Sequence, residues 1–170
     1  AGTDVAALIP QLPHQQVQPR GDGSAILTIS RHTAPAVSVP LPIEGAQFEQ
    51  YLGHNEITQS DSPRVQALAR EIIGEERDAW AAAQKLLSWV YGNIGKVASE
   101  PRPISAVEVL AQGKGDCTEH AVLLAALAKA VGIPPRIVTG LVYTNGCYGY
   151  HEWNELYVGE WVAMDPSWGK

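Results

Sequence analysis

The run Ala121-Val-Leu-Leu-Ala-Ala-Leu-Ala128 is apolar at every position. A helix built on it, from Cys117 to Val131, has almost no polar surface to give to solvent. Such a helix belongs in the middle of a domain, covered on most sides, and its alanines let neighbours approach closely. Gly113-Lys-Gly-Asp116 before it reads as a turn, and Gly132-Ile-Pro-Pro135 after it stops the helix. Cys117 therefore heads a buried helix, where backbone N–H groups point outward and favour a thiolate. A cysteine alone fixes no function, because free cysteine is among the most buried and inert residue types. The rest of the chain must supply a base and a group to orient it.

The chain has 170 residues, 45% hydrophobic and 18% charged, which suits a globular domain with a real core. A net charge of −6 argues against nucleic acid as the main partner. No apolar run approaches the roughly 20 residues of a membrane-spanning helix. Cys117 and Cys147 are the only cysteines, too few for a disulfide scaffold. A bridge between them would silence a thiol nucleophile. The first residue is Ala1, with no n-region or h-region of a signal peptide, and Lys170 follows closely on Asp165. These features lead to the expectation of a processed or longer protein. They fix no compartment and leave an exported or periplasmic one open.

Residues 1–55 read as a β-rich N-terminal segment or the end of a preceding domain, with strand character at Ala25–Ser30 and an extended, proline-bearing stretch at Ala36–Ile43. His14 and His32 there are expected as exposed loop residues. Residues 56–170 read as a second domain, the one that carries Cys117. A helix starts at Pro63, capped by Asp61 or Ser62, and ends before Gly74. A second runs from about Asp78 to Ile94, with Trp80 and Trp89 as core residues. After a Pro101-Arg-Pro103 break, Ser105 caps a short helix through Ala111. Beyond the central helix the period becomes two, with strands at Arg136–Thr144, Tyr150–Val158 and Trp161–Met164, the last two joined at Gly159-Glu160. Helices first and an antiparallel sheet after them make the class α+β.

Alternation puts His151, Trp153, Glu155 and Tyr157 on one strand face. Counted from the Gly159-Glu160 connection, Asp165 and His151 are offset by two residues on neighbouring strands, within diagonal reach. A helix start against this sheet would bring Cys117 to His151. The three side chains then form a nucleophile, a base and an orienting carboxylate. The backbone N–H of Cys117 would be one oxyanion donor.

Gly115-Asp-Cys-Thr-Glu-His-Ala121, Leu127 through Gly132-Ile-Pro-Pro-Arg136-Ile-Val-Thr-Gly140, Tyr150-His-Glu-Trp-Asn-Glu-Leu-Tyr157 and Trp161-Val-Ala-Met-Asp-Pro166 resemble the transglutaminase-like superfamily, most closely its bacterial members. The resemblance covers roughly residues 60–170. It implies a papain-like α+β core with the cysteine at the N-terminus of the central helix. It also implies Cys117, His151 and Asp165 as the catalytic triad. Animal members draw a second oxyanion donor from a tryptophan upstream of the cysteine; Pro101-Arg-Pro-Ile104 offers none here, and Tyr91 or Asn93 is the substitute to examine. No acidic cluster suggests calcium activation.

The implied activity is thiol-dependent acyl transfer or hydrolysis at peptide or glutamine amides, with a peptidase-like hydrolase favoured. The alternative is a protein-glutamine gamma-glutamyltransferase, which resolves the same thioester with a lysine amine. The partner is a protein or peptide substrate, with no cofactor called for. Two other classes stand beside it: a non-catalytic binding module, and a structural zinc site from Cys117, His120, Cys147 and His151. Zinc would leave Asp165 without a role; without it His120 packs or binds backbone, and Cys147 is an incidental loop residue. Tyr148, Tyr150, Trp153, Trp161 and Trp168 are candidates to wall a cleft.

Overall fold

A computed structural model describes residues 5–12, 14–30, 34–37, 39–98 and 104–170. His32 and the Pro101-Arg102-Pro103 break lie outside the described residues. The chain divides into two compact units, residues 1–34 and 35–170.

The first unit holds a short helix, α1 (Val5–Leu8), and an antiparallel hairpin of β1 (Gln15–Pro19) and β2 (Ala25–Ile29). The Gln11 side chain extends the hairpin by imitating a strand residue. Its Nε2 donates to Val17 O at 2.8 Å, and its Oε1 accepts from Val17 N at 3.0 Å. His14 is half-buried, and its carbonyl accepts from Ser30 N at 2.9 Å.

The second unit is organised as the apolar run demands. A 3₁₀ turn (Ala46–Phe48) leads into α2 (Glu49–Leu52), followed by α3 (Pro63–Ile73), α4 (Ala79–Asn93), a two-residue strand β3 (Gly95–Lys96) and α5 (Ala106–Gln112). A second two-residue strand, β4 (Lys114–Gly115), precedes the central helix α6 (Cys117–Ala130). An antiparallel sheet of β5 (Pro135–Thr144), β6 (Cys147–Tyr157) and β7 (Trp161–Met164) follows, in the order β5-β6-β7. Helix α6 packs against α3, α4 and α5 on one side and against β5 and β6 on the other. Leu123, Leu124 and Leu127 are fully buried in it. Each such leucine contributes about 1.5–3 kcal/mol relative to exposure. Trp80 and Trp89 pack, partly buried, on the same core.

Residues 35–55 belong to this unit and are stitched to it through backbone. Ala79 N donates to Val39 O, Leu41 N to Arg77 O and Ile43 N to Gly132 O, all at 2.8–2.9 Å. Ile43 and Phe48 enter the core. The short helices at 46–52 were not legible from periodicity, because seven residues span too few turns to show one.

Strand β6 begins earlier than its composition suggests. Asn145 (φ 52°) and Gly146 (φ 83°) form a two-residue hairpin turn, so Cys147 is the first strand residue and pairs with Thr144. An Asn-Gly pair is the signature of that turn, since both central residues need positive φ. The expectation of a loop through Gly149 is corrected accordingly.

Candidate active site

The N-terminus of α6 is built by a reciprocal cap. Asp116 accepts a hydrogen bond from Thr118 N at 2.8 Å, and Asp116 N donates to Glu119 Oε2 at 2.7 Å. This capping box satisfies orphan amides and leaves Cys117 as the first helical residue. Glu119, 2% exposed, folds back over Gly115, where any Cβ would overlap its side chain. That is why glycine precedes the Asp-Cys pair. His120, fully buried, braces the next turn: its Nδ1 lies 2.6 Å from Asp116 O and its Nε2 3.2 Å from Ile94 O. Ile94 directly precedes β3, so this ring ties the start of α6 to the neighbouring wall.

The base and its partner come from the sheet. Tyr157 pairs with Trp161 and Asn154 with Met164, so the register centres on Gly159 and sets Asp165 diagonally across from His151. His151 Nε2 meets Asp165 Oδ2 at 2.7 Å, with both side chains largely buried. The other carboxylate oxygen, Oδ1, accepts from Ser167 N, Ser167 Oγ and Trp168 N at 2.8, 2.7 and 3.1 Å. The turn after β7 thus aims Oδ2 at the ring. Trp168 stacks on His151 at 4.7 Å between centroids, and Trp153 lies near-parallel at 6.3 Å. Gly140 is opposite His151 on β5, and a Cβ there would overlap the Trp153 ring.

Cys117 and His151 line one cleft of about 370 Å³, together with Lys96, Val97, Ala98, Asp116, Ser167 and Trp168. The wall formed by 96–98 is held by parallel pairing of β3 with β4, and Val97 N donates to Gly115 O at 3.1 Å. A buried clamp joins the two elements that carry Cys117 and His151: Asn154 Nδ2 donates to Ala121 O at 2.9 Å. Asn154 was not singled out from sequence. The available signal was a carboxamide on a strand position whose neighbours two residues on, Leu156 and Val158, point into the core.

Other expected site residues fall elsewhere. Neither Tyr91 nor Asn93 lines the cleft, and Asn93 Nδ2 donates to Trp89 O at 2.8 Å. Of the five aromatics, only Trp168 is a lining residue. Tyr148 and Tyr150 are exposed at 71% and 87%, because alternation turns them away from the His151 face. Trp161 packs against Tyr51, Tyr157 and Arg136. A zinc site from Cys117, His120, Cys147 and His151 is not assembled. Both His120 nitrogens face backbone carbonyls, and Cys147 is exposed at the hairpin end with its thiol on Thr144 O. Among the described residues no three metal-ligating side chains cluster.

This fold and cleft define a helix-borne thiol set against a sheet-borne histidine and carboxylate. Residues 66–166 match the transglutaminase-like superfamily, and the chain belongs to it. Solved structures agree in fold. A candidate cysteine protease from Cytophaga hutchinsonii superposes with a TM-score of 0.66 at 25% identity, covering 73% of this chain and 43% of that one. The periplasmic domain of TgpA from Pseudomonas aeruginosa gives 0.58 at 22% identity, covering 75% and 49%. The chain thus spans less than half the length of either structure. None of the curated proteins matches it. No helix among the described residues is long and apolar enough to cross a membrane.

Proposed function

We propose that the protein is a thiol hydrolase acting on peptide or glutamine amides through Cys117, His151 and Asp165. The observation that carries this is the 2.7 Å contact of His151 Nε2 with Asp165 Oδ2 beside a cleft that Cys117 also lines. With Nε2–H donating to the carboxylate, the other ring nitrogen, Nδ1, is the one free to take a proton. Cys117 Sγ attacks the amide carbon and its proton passes to Nδ1. The oxyanion develops next to the N–H of Cys117, a first-turn amide with no partner inside the helix. Asp165 holds the tautomer and stabilises the imidazolium. The leaving amine departs with the proton from His151, and an acyl-thioester remains. Water, deprotonated by His151, attacks the thioester and releases the acid and the thiol.

An amine in place of water would give transamidation from the same thioester, so the deciding experiment measures products. Peptide mixtures are incubated with the protein, with and without an added primary amine, and read by mass spectrometry. Cleavage or deamidation that survives added amine supports the hydrolase, whereas predominant amine incorporation replaces it with a crosslinking enzyme. Cys117→Ala is expected to abolish either product. Full turnover by that variant would refute the mechanism.

A further inference from the structure

We infer that the cleft selects an acyl donor carrying a carboxylate close to the scissile amide, and that Lys96 is the residue that reads it. The inference rests on the Cys117–His151–Asp165 reading above and adds a substrate class to it. Lys96 lines the cleft and pairs with Gly115, two residues before Cys117, so its wall stands directly beside the thiol. Its ammonium lies 4.2 Å over the centroid of Tyr91. The Tyr91 ring is itself packed by backbone, since a Cβ on Gly169 would come within 2.9 Å of its Cγ. An aromatic face holds an ammonium in place without neutralising it, and leaves its N–H donors for a true acceptor.

Besides the Cys117 thiol, the other ionisable side chains of the cleft already hold hydrogen-bond partners within the protein. The Asp116 carboxylate caps α6, His151 is bound to Asp165, and the second oxygen of Asp165 accepts three donors from the following turn. Lys96 forms no ion pair with a described residue, in a chain with 18 acidic and 12 basic side chains. A cation held over a ring, on a residue that lines the cleft of a nucleophile, is matched by an anion on the molecule that the nucleophile attacks. The group that fits is a carboxylate, from an acidic side chain or from a free chain terminus.

The test uses the full chain and two alkylating agents of similar size, anionic iodoacetate and neutral iodoacetamide. Rates at Cys117 are read by peptide mapping, with exposed Cys147 in the same sample as the reference. The iodoacetate-to-iodoacetamide ratio at Cys117 is expected to fall roughly fivefold in Lys96→Gln, the size of one screened charge contact. It should hold in Lys96→Arg and decline in wild type at high salt. A ratio unmoved in Lys96→Gln, with Cys117 still reactive, overturns the role of Lys96 and leaves the thiol mechanism standing. A Cys117 inert to both reagents overturns the mechanism and this inference with it. Matched peptides then separate the two carboxylate sources. Higher kcat/KM for a Glu peptide than for its Gln twin indicates a side chain, and higher kcat/KM for a free C-terminus than for its amide indicates a terminus. Equal turnover of both pairs overturns the inference.

Discussion

Asp165 is held from both sides, and its two oxygens are not interchangeable. Oδ1 is spent on Ser167 and Trp168, and Oδ2 on His151. An asparagine at this position must turn its N–H₂ either toward the Nε2–H of His151 or toward the turn donors, so one set of bonds is lost in either orientation. Asp165→Asn is therefore expected to lower kcat by about 10²–10⁴-fold while the far-UV spectrum stays native; wild-type kcat in this variant would remove Asp165 from the mechanism. Gly140 acts at one remove. Gly140→Ala drives a methyl into the Trp153 ring beside His151, and overpacking of this kind costs about 1–3 kcal/mol. Thermal unfolding and near-ultraviolet circular dichroism, which reports tryptophan packing, should both shift. Unchanged traces would mean the ring has room to move.

Elements matter here mainly through how α6 and β6 are fixed to each other. Asn154 Nδ2 on Ala121 O is a buried clamp between them, and among the described residues the Oδ1 of the same carboxamide has no hydrogen-bond partner. Ala121 O also closes a helical turn, so losing the clamp leaves no acceptor bare. Replacing Asn154 by leucine removes an unpaired buried oxygen and keeps most of the volume. The stability change is accordingly expected to stay within about 1 kcal/mol, while kcat falls because His151 is no longer registered against Cys117. Chemical denaturation and steady-state kinetics on the same sample check this. A large loss of stability with kcat retained would make Asn154 a packing residue only. Side-chain caps start three of the helices, at Asp78, Ser105 and Asp116, whereas α3 starts at Pro63 with Ser62 in the cap position making no side-chain bond, so the cap expected there from Asp61 or Ser62 is not formed. Strand β6 was underestimated at its start, because Cys147 to Gly149 look like loop residues until the Asn145-Gly146 turn is recognised.

At the scale of the molecule, the division lies at residues 34 and 35, so the stretch 35–55 shares the core of the second unit. Phe48 meets Tyr157 at 4.5 Å between ring centroids. Tyr51 OH accepts from Arg136 Nη2 at 3.0 Å, and the Arg136 guanidinium lies 3.7 Å over Trp161. Residues 35–170 alone are expected to unfold in one cooperative transition near that of the full chain. Residues 56–170 should lose several kcal/mol, since burial of Ile43 and Phe48 contributes about 1.5–3 kcal/mol each. Denaturant melts of the two truncated chains decide it, and equal stability would show that 35–55 is dispensable.

The sequence by itself determined the central helix, the cysteine at its head and the diagonal pairing of His151 with Asp165. Each of these follows from short-range chemistry: an unbroken apolar run behind a glycine-bearing turn, a strand period of two and a turn at Gly159. The tertiary structure alone decided which wall faces the thiol. It set the pairing of β3 with β4, the His120 brace to a carbonyl 26 residues away and the Asn154 clamp across 33 residues. Such contacts are made by single polar groups between distant segments. They carry no periodicity, and only the packed core brings their partners within a hydrogen bond.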